Sequence, residues 1–399
     1  MKKHLNSTDT TDRGRRIPLL DVLRGVAIFG TLGTNIWLFS KVGNPNSSAF
    51  LGGGLPWWGS WDAFLTTFTL FLTNGKFLGL LTILFGVGLE IQYRSAKRRG
   101  LPWPTRYLWR TALLFVEGFL HYLLVFEFDI LMGYAVAAFV VAFLVGLSEK
   151  TIRRAMWVSG GLHLVLAGGL SALFGAALLL DPQSLTGPSV FTEEAARIYT
   201  QGSWWDQVLY RLDNFAVYRA ESVFIIPMNV FLFLLGVRLM RSDAFSPDET
   251  GRRIRRRMLR WGLLLGLPLN LLYFVPGGLF ELPVRYLFAP LLSLGYAGLV
   301  ALAMERHLMP WLSARLAEVG RAALSCYVLQ NVLASIVFYG WGLGLTGRLG
   351  AAGTLVVLVA ICATLALLSN LWLRRFPSGP LEMIWKKLAD IPFARGKTG

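Results

Sequence analysis

The chain has 399 residues, of which 54% are hydrophobic and only 16% are charged. A soluble domain carries about 25% charged residues, and a disordered chain carries few aromatic residues, whereas aromatic residues make up 13% here. With only two cysteines, a disulfide-stapled secreted protein is also excluded. The net charge of +16 does not indicate a nucleic-acid partner, because the basic residues lie in short segments between long apolar runs. Together these features predict an all-α integral membrane protein.

Apolar runs of about 18 or more residues predict membrane-spanning helices. We predict about ten such helices. The predicted spans are residues 18–40, 64–93, 107–126, 129–147, 155–180, 222–240, 259–276, 284–304, 322–340 and 351–373. The second run is too long for one straight crossing. The first is too long for a signal peptide and has no cleavage motif, so we expect it to be a retained helix.

The distribution of basic residues predicts the orientation. Most of the 39 Lys and Arg residues fall in the N-terminal tail, in alternate loops and in the C-terminal tail. Cytoplasmic segments of membrane proteins carry such an excess, so both termini are predicted to be cytoplasmic. We expect cytoplasmic tails over residues 1–17 and 376–399, with one transmembrane domain over 18–375 between them. Within the longest outer segment, residues 190–221 have the tryptophans and amphipathic spacing of a helix lying in the outer interface.

Ionisable residues inside apolar spans are costly, and they mark either functional sites or pairing partners. At the inner end of the first span, Asp21 and Arg24 are three residues apart, on one helix face where they can pair. An ion pair that orients the helix and a role in ligand binding both fit this pattern. Near mid-depth, Asn74 and Gly75 interrupt the second run, and the following Lys76 must face protein, water or a bound anion.

Further polar residues converge toward the outer side. Asn35 lies in the outer half of the first span, and Asp62 opens the second. His121 lies near the outer end of the third span, and Asp129 follows in the short turn before the fourth. A carboxylate orients an imidazole and raises its basicity, so this set predicts general acid–base chemistry. A hydrogen bond between helices is the competing interpretation of a histidine in a membrane.

Several familiar chemistries are disfavoured. The sequence has no serine-hydrolase elbow, no Walker-type phosphate loop and no Cys/His spacing for a metal, so we expect no bound metal. Cys326 and Cys362 both fall in predicted spans, which predicts free thiols without redox chemistry. No internal repeat is visible, and this disfavours transporters built from two repeated halves.

Blocks of residues in both halves of the chain resemble the YeiB family of bacterial inner-membrane proteins, in family order. They are Arg16-Ile17-Pro18-Leu19-Leu20-Asp21-Val22-Leu23-Arg24-Gly25 with Asn35, Gly75-Lys76-Phe77, Leu84-Phe85-Gly86, Asp129-Ile130-Leu131, Gly320-Arg321-Ala322-Ala323-Leu324-Ser325-Cys326-Tyr327 with Gln330, and Gly379-Pro380-Leu381-Glu382. The resemblance implies a multi-pass protein of the bacterial cytoplasmic membrane. From the polar residues within these blocks, we expect the ligand-binding residues to be Asp21, Arg24, Asn35, Lys76 and Gln330.

The N-terminal half of that family is similar to transmembrane acyltransferases related to heparan-α-glucosaminide N-acetyltransferase. Those enzymes transfer an acetyl group from cytosolic acetyl-CoA to a sugar amine across the membrane, and an essential histidine lies in their first outer loop. Here that loop, residues 41–61, has no histidine, which leaves His121 as the candidate. Family members often have a tryptophan and a glycine shortly before the Asp129 block, whereas this chain has Phe126-Glu127-Phe128.

The resemblance implies an integral-membrane acyltransferase that uses acyl-CoA, with acetyl-CoA as the expected co-substrate. The acceptor would be a hydroxyl or amine of a sugar- or envelope-type molecule at the outer side. The proposed catalytic residues are His121 as the base, oriented by Asp129 or Asp62. Membrane lipids, acyl-CoA and a small-molecule or glycan acceptor are the expected partners, and homo-oligomerisation is left open.

Two other functions compete with this hypothesis. The alternative is a transporter or exporter of a small polar or anionic solute. In that case Lys76 and Arg24 would bind the solute, and Asp21, Asp129 and His121 would relay protons. The third hypothesis is a structural protein in which the same residues only pair between helices.

Overall fold

A computed structural model of the chain describes residues 16–42, 57–180, 193–275 and 277–393. Within these ranges the chain forms helices and no β-strands. The helices are α1 (Pro18–Lys41), α2 (Trp61–Thr73), α3 (Lys76–Arg98), α4 (Thr105–Leu124), α5 (Leu131–Leu144), α6 (Glu149–Leu180), α7 (Glu193–Gln201), α8 (Trp204–Asp213), α9 (Phe215–Phe224), α10 (Ile226–Arg241), α11 (Glu249–Trp261), α12 (Leu267–Leu271), α13 (Glu281–Pro283), α14 (Ala289–Glu305), α15 (Pro310–Arg321), α16 (Ala323–Phe338), α17 (Ala351–Leu373) and α18 (Pro380–Asp390). Short π-helical segments follow α11 and α13, and a 3₁₀ turn follows α12.

Five helical segments of the described chain are long and apolar enough to cross a membrane. They are Pro18–Lys41, Trp61–Arg98, Glu149–Leu180, Glu281–Glu305 and Ala351–Leu373. The number rises to seven if two bent pairs each count as one span: α9 with α10, bent by 43°, and α15 with α16, bent by 90°. These segments confirm the class of all-α membrane protein. The number of ten spans and the cytoplasmic termini stay predictions.

The long second run of the sequence is two helices. α2 ends at Thr73 and α3 begins at Lys76, as the interruption in the sequence predicts. Between them Gly75 has φ +78°, a left-handed conformation that glycine adopts readily. A Cβ atom at Gly75 would also lie only 2.7 Å from the carbonyl oxygen of Arg285. The break therefore needs glycine, and it turns Lys76 into the interior, where the residue is fully buried.

Glycines bring α1 and α15 into close contact. A Cβ atom at Gly25 would lie 2.0 Å from the carbonyl oxygen of Leu316, and one at Gly320 would lie 1.8 Å from that of Asp21. Small residues allow such backbone approach between membrane helices, whose association depends on close packing. The contact places Asp21 and Arg321 around one cavity at this end of the bundle.

The helices around the interior differ from those at the periphery. α1 packs against α3, α15 and α16, and α3 packs against α5 and α10. By contrast, only 17% of the most apolar stretch of α6 and 22% of that of α17 is buried within the protein. Apolar surface that the protein itself leaves uncovered on a membrane helix is expected to face lipid.

The outer segment predicted as one interfacial helix forms three short helices, α7 to α9; residues 190–192 of that prediction lie outside the described ranges. Ser203 caps α8 through a capping box with Asp206. Hydrogen bonds from Ser203 lower the pKa of Asp206. Trp204 and Trp205 are exposed on the same helix, while Arg211 is buried. This division into an exposed aromatic side and a buried polar side suits a position at a membrane interface.

Candidate functional site

His121 and Asp129 form a buried pair. α4 ends at Leu124 and α5 begins at Leu131, so the connecting turn folds Asp129 back onto the last turn of α4. Asp129 Oδ1 lies 2.9 Å from His121 Nδ1, and neither side chain is more than 1% exposed. The carboxylate also accepts a hydrogen bond from the Met132 backbone N–H at 3.2 Å. The turn thus fixes Asp129 in the position that orients the imidazole.

The hydrogen-bond network assigns the histidine tautomer. Nδ1 faces a carboxylate oxygen, which accepts hydrogen bonds, and Nε2 faces the Asn331 amide nitrogen, which donates, so the ring proton is assigned to Nδ1. His121 Nε2 then has a free lone pair, and Asn331 Nδ2 lies 3.3 Å from it as the donor. Asn331 Oδ1 in turn accepts a hydrogen bond from Asn35 Nδ2 at 3.3 Å. Nε2 is therefore the atom able to take a proton, and the Asn331 amide covers it.

Asp62 lies apart from this pair. Its Oδ1 accepts a hydrogen bond from the Ala351 N–H at 3.0 Å, at the first residue of α17. A carboxylate is favourable at a helix N-terminus, because the first N–H groups there have no partner within the helix. Asp62 also lines a second cavity, of about 210 Å³, together with Lys41. Of the three predicted catalytic residues, the structure brings His121 and Asp129 together and leaves Asp62 at this separate cavity.

A cavity of about 380 Å³ lies at the end of the bundle predicted to be cytoplasmic. Its polar and charged lining residues are Arg16, Asp21, Arg24, Gln92, Arg110, Arg321 and Glu382. The rest of its lining is mainly apolar and aromatic and includes Ile130 and Tyr327. His121 and Asp129 do not line it. Tyr327 does, and its ring centroid lies 5.2 Å from that of His121, so this tyrosine separates the cavity from the pair.

The lining of this inner cavity has an excess of positive charge, because its four arginines outnumber its two carboxylates. Asp21 is 5% exposed, lies 3.5 Å from Arg24 Nη1 and accepts a hydrogen bond from Arg16 Nε at 2.6 Å. The Asp21–Arg24 ion pair predicted from the sequence is therefore present. One carboxylate is shared by two guanidinium groups, which leaves positive charge for an anionic ligand.

The other predicted ligand-binding residues have different positions. Asn35 reaches His121 through Asn331, as described above. Gln330 is fully buried between α16 and α1, where its Nε2 donates to Thr31 Oγ1 at 3.3 Å. Lys76 is also fully buried, but it lines neither of the two cavities. The structure thus places Asp21 and Arg24 at the inner cavity and links Asn35 to His121 through Asn331. Lys76 lies at the start of α3, outside both cavities.

Several polar residues near the pair were not predicted. Asn331 could have been suspected, because it directly follows Gln330 within an apolar span. Glu117 lies one helical turn before His121, and its Oε2 has no hydrogen-bond partner within the described part of the chain. Arg219 Nη1 donates to the Asp129 carbonyl oxygen at 2.9 Å. No local pattern identifies Arg219, because its partners lie about 90 residues earlier in the chain.

A second buried network holds the turn that carries Asp129. The Glu127 carboxylate forms an ion pair with Arg211 at 3.4 Å, with both side chains at most 1% exposed. Tyr339 donates to the same carboxylate at 3.2 Å, and Arg211 Nε donates to Tyr199 at 3.1 Å. Burial raises the pKa of Tyr199, so its hydroxyl keeps its proton. Glu127 therefore anchors the turn by a paired and hydrogen-bonded charge.

The fold and this site define a polytopic all-α membrane protein with a buried histidine–aspartate pair beyond a basic cavity. Residues 239–392 match a family model described as "Protein of unknown function (DUF418)". The chain is 27% identical to "Uncharacterized protein YxaH" of Bacillus subtilis (strain 168), over 96% of both chains. It is 29% identical to "Uncharacterized protein YeiB" of Escherichia coli (strain K12), over 92% of this chain and 95% of that relative. These matches confirm the resemblance to the YeiB family that the sequence blocks indicate.

Proposed function

We propose that this protein is an acyltransferase of the bacterial cytoplasmic membrane, using cytosolic acyl-CoA, with acetyl-CoA as the expected donor. One observation carries the proposal. The inner cavity is lined by a cluster of arginines and by Tyr327, and Tyr327 also contacts the His121–Asp129 pair. A cavity with basic and apolar lining residues and a base behind Tyr327 suits a ligand with phosphates at one end and a thioester at the other.

The donor would bind in the inner cavity. Arg16, Arg24, Arg110 and Arg321 would contact the phosphates of CoA, because guanidinium groups bind phosphate through paired hydrogen bonds. The apolar walls would hold the extended pantetheine arm. Tyr327 must turn aside for the thioester to reach His121, since its side chain fills the space between the cavity and the pair.

In the transfer step His121 acts as a general base and then as an acid. The acceptor hydroxyl or amine replaces the Asn331 amide at Nε2, and His121 takes its proton as the acceptor atom attacks the thioester carbonyl. The carbon–sulfur bond then breaks, and His121 returns the proton to the CoA sulfur. Asp129 holds Nδ1 and stabilises the imidazolium that forms between these events. The Asn331 amide, released from Nε2 when the acceptor binds, would donate a hydrogen bond to the oxyanion.

The acceptor would approach from the outer side. The cavity of about 210 Å³ lined by Asp62, Lys41, Ser40 and Trp37 lies at the outer end of α1 and offers polar groups beside an aromatic ring. Those groups suit a sugar- or envelope-type acceptor. In this role Asp62 positions the acceptor, and Asp129 is the residue that orients the base.

The transporter hypothesis is less well supported by the same geometry. It assigns Lys76 and Arg24 to one solute path, yet only Arg24 lines the inner cavity. The proposed relay also loses its continuity, because Asp21 lines that cavity whereas Asp129 does not, and Tyr327 lies between the cavity and His121.

The test is acyl-CoA turnover by purified protein in lipid vesicles. Release of the CoA thiol from acetyl-CoA is measured with a panel of sugar, amino-sugar and glycerol acceptors outside the vesicles. Transfer predicts thiol release that depends on the acceptor, with the acetyl group recovered on it. Solute uptake into the vesicles without any consumption of acetyl-CoA would contradict the proposal and favour a transporter.

A further inference from the structure

The break between α2 and α3 buries a cation that the proposed acyl transfer does not use. Lys76 is fully buried, and its Nζ has no hydrogen-bond acceptor among the described residues. No carboxylate of the described chain lies within ion-pair distance of it. A buried ammonium without a counter-charge is costly, because the protein interior solvates the charge poorly. An anion bound next to Nζ would supply the missing counter-charge.

Other unpaired donors accompany the ammonium. Lys76 Nζ lies 5.9 Å from the ring centroid of Tyr273 and 5.6 Å from that of Phe71. The Tyr273 hydroxyl is buried and has no partner among the described residues, and the same is true of Asn74 Nδ2. Buried donors are nearly always satisfied in native proteins, so two unsatisfied donors beside an unpaired cation point to a ligand that accepts hydrogen bonds.

The neighbouring charges do not neutralise Lys76. Arg285 Nη2 forms an ion pair with Glu221 at 2.6 Å, and its Nη1 donates to Asn74 Oδ1 at 3.2 Å. That bond fixes the Asn74 amide with its oxygen toward Arg285. Glu281 is the other carboxylate in this region; it forms no ion pair within the described chain, and its Oε1 has no hydrogen-bond partner there. Neither of these carboxylates lies within ion-pair distance of Lys76, so its ammonium has no close counter-charge among the described residues.

We propose that Lys76, with the Tyr273 hydroxyl and the Asn74 amide, binds a small inorganic monoanion of the chloride type. A single unpaired positive charge matches one negative charge. The aromatic rings of Phe71 and Tyr273 limit the space around the ammonium, which suits a monatomic or similarly compact ion. This site is separate from the inner cavity, so it differs from the CoA site in both position and chemistry. The bound ion would stabilise the break that joins α2 to α3.

The test is halide-dependent thermal stability of the purified full-length protein. The midpoint of unfolding is measured in sodium bromide or chloride against sodium gluconate at constant ionic strength, because gluconate is too large for an enclosed site. The parent should show a saturable, halide-specific rise of about 3 °C near saturation. Lys76→Met should lose it, and Tyr273→Phe should need a severalfold higher halide concentration. The matched control Lys41→Met, at the outer cavity, should respond like the parent.

Two outcomes would overturn the anion site. One is a parent protein with the same unfolding midpoint in halide and in gluconate. The other is a Lys76→Met variant that responds to halide as the parent does. Because the readout is unfolding and requires no acyl donor, it is independent of whether the protein transfers acyl groups.

Discussion

Replacing His121 by alanine provides a sharp test of its chemical role, because the chain offers a matched control. His163 on α6 is also buried, and its Nε2 lies 3.0 Å from the carbonyl oxygen of Tyr286. His121→Ala and His163→Ala therefore both remove a buried imidazole that forms a hydrogen bond between segments. Only the first removes the proposed base.

The expected sizes of the two effects differ widely. A general base contributes about 10²–10⁴-fold in rate, so His121→Ala should lower kcat for acyl transfer by that factor. A hydrogen bond between membrane helices averages about 0.6 kcal/mol, so the change in stability should be small and similar in both variants. Asp129 keeps donors from the Met132 N–H at 3.2 Å and Tyr327 at 3.5 Å, so its carboxylate is not left unpaired when His121 is removed.

The assay measures release of the CoA thiol at saturating acetyl-CoA and acceptor, alongside thermal unfolding of each variant. His163→Ala should turn over at the parent rate. Undiminished turnover by His121→Ala would show that another group takes the proton. Equal losses in both variants would assign the effect to folding.

Three further predictions follow from other parts of the structure. Arg24→Gln should raise the Kd for CoA about tenfold, since it removes one charge-assisted contact, whereas Arg257→Gln on the exposed side of α11 should leave it unchanged in the same titration. Glu382→Ala should destabilise the protein by about 1–3 kcal/mol in chemical unfolding, because its carboxylate accepts hydrogen bonds from two backbone N–H groups and a hydroxyl at the start of α16. In a variant without native cysteines, Pro247→Cys should be labelled only from the inner face and Gln201→Cys only from outside. The reverse pattern would contradict the orientation.

The helices and the histidine–aspartate pair were predictable because they depend on local sequence. Apolar runs specify the helices, and Gly75 marks the break in the second run. His121 and Asp129 are eight residues apart across one short turn, so the chain itself holds them near each other. The 90° bend between α15 and α16 was not visible, because α15 is too polar to be recognised as part of a span.

Contacts between distant segments could not be predicted. Asn35 and Asn331 are 296 residues apart, and only the packing of α1 against α16 brings them together. Asp62 was grouped with the histidine by depth in the membrane, yet it contacts the start of α17. Two residues at the same depth in the membrane can lie on different helices that do not touch. Which helices touch depends on the packing of the bundle, and the sequence does not show it. Lys76 is another example, since its burial follows from its position within an apolar run, whereas its absence from the lining of the inner cavity depends on the helix arrangement.

The most direct measurement is a map of the protein with a non-hydrolysable acetyl-CoA analogue bound. We expect its phosphates beside Arg24 and Arg110 in the inner cavity, and its acyl end at Tyr327, with that ring displaced toward an opening onto His121. An empty inner cavity at saturating analogue, or an analogue bound elsewhere, would contradict the proposal that this cavity delivers an acyl group to the histidine–aspartate pair.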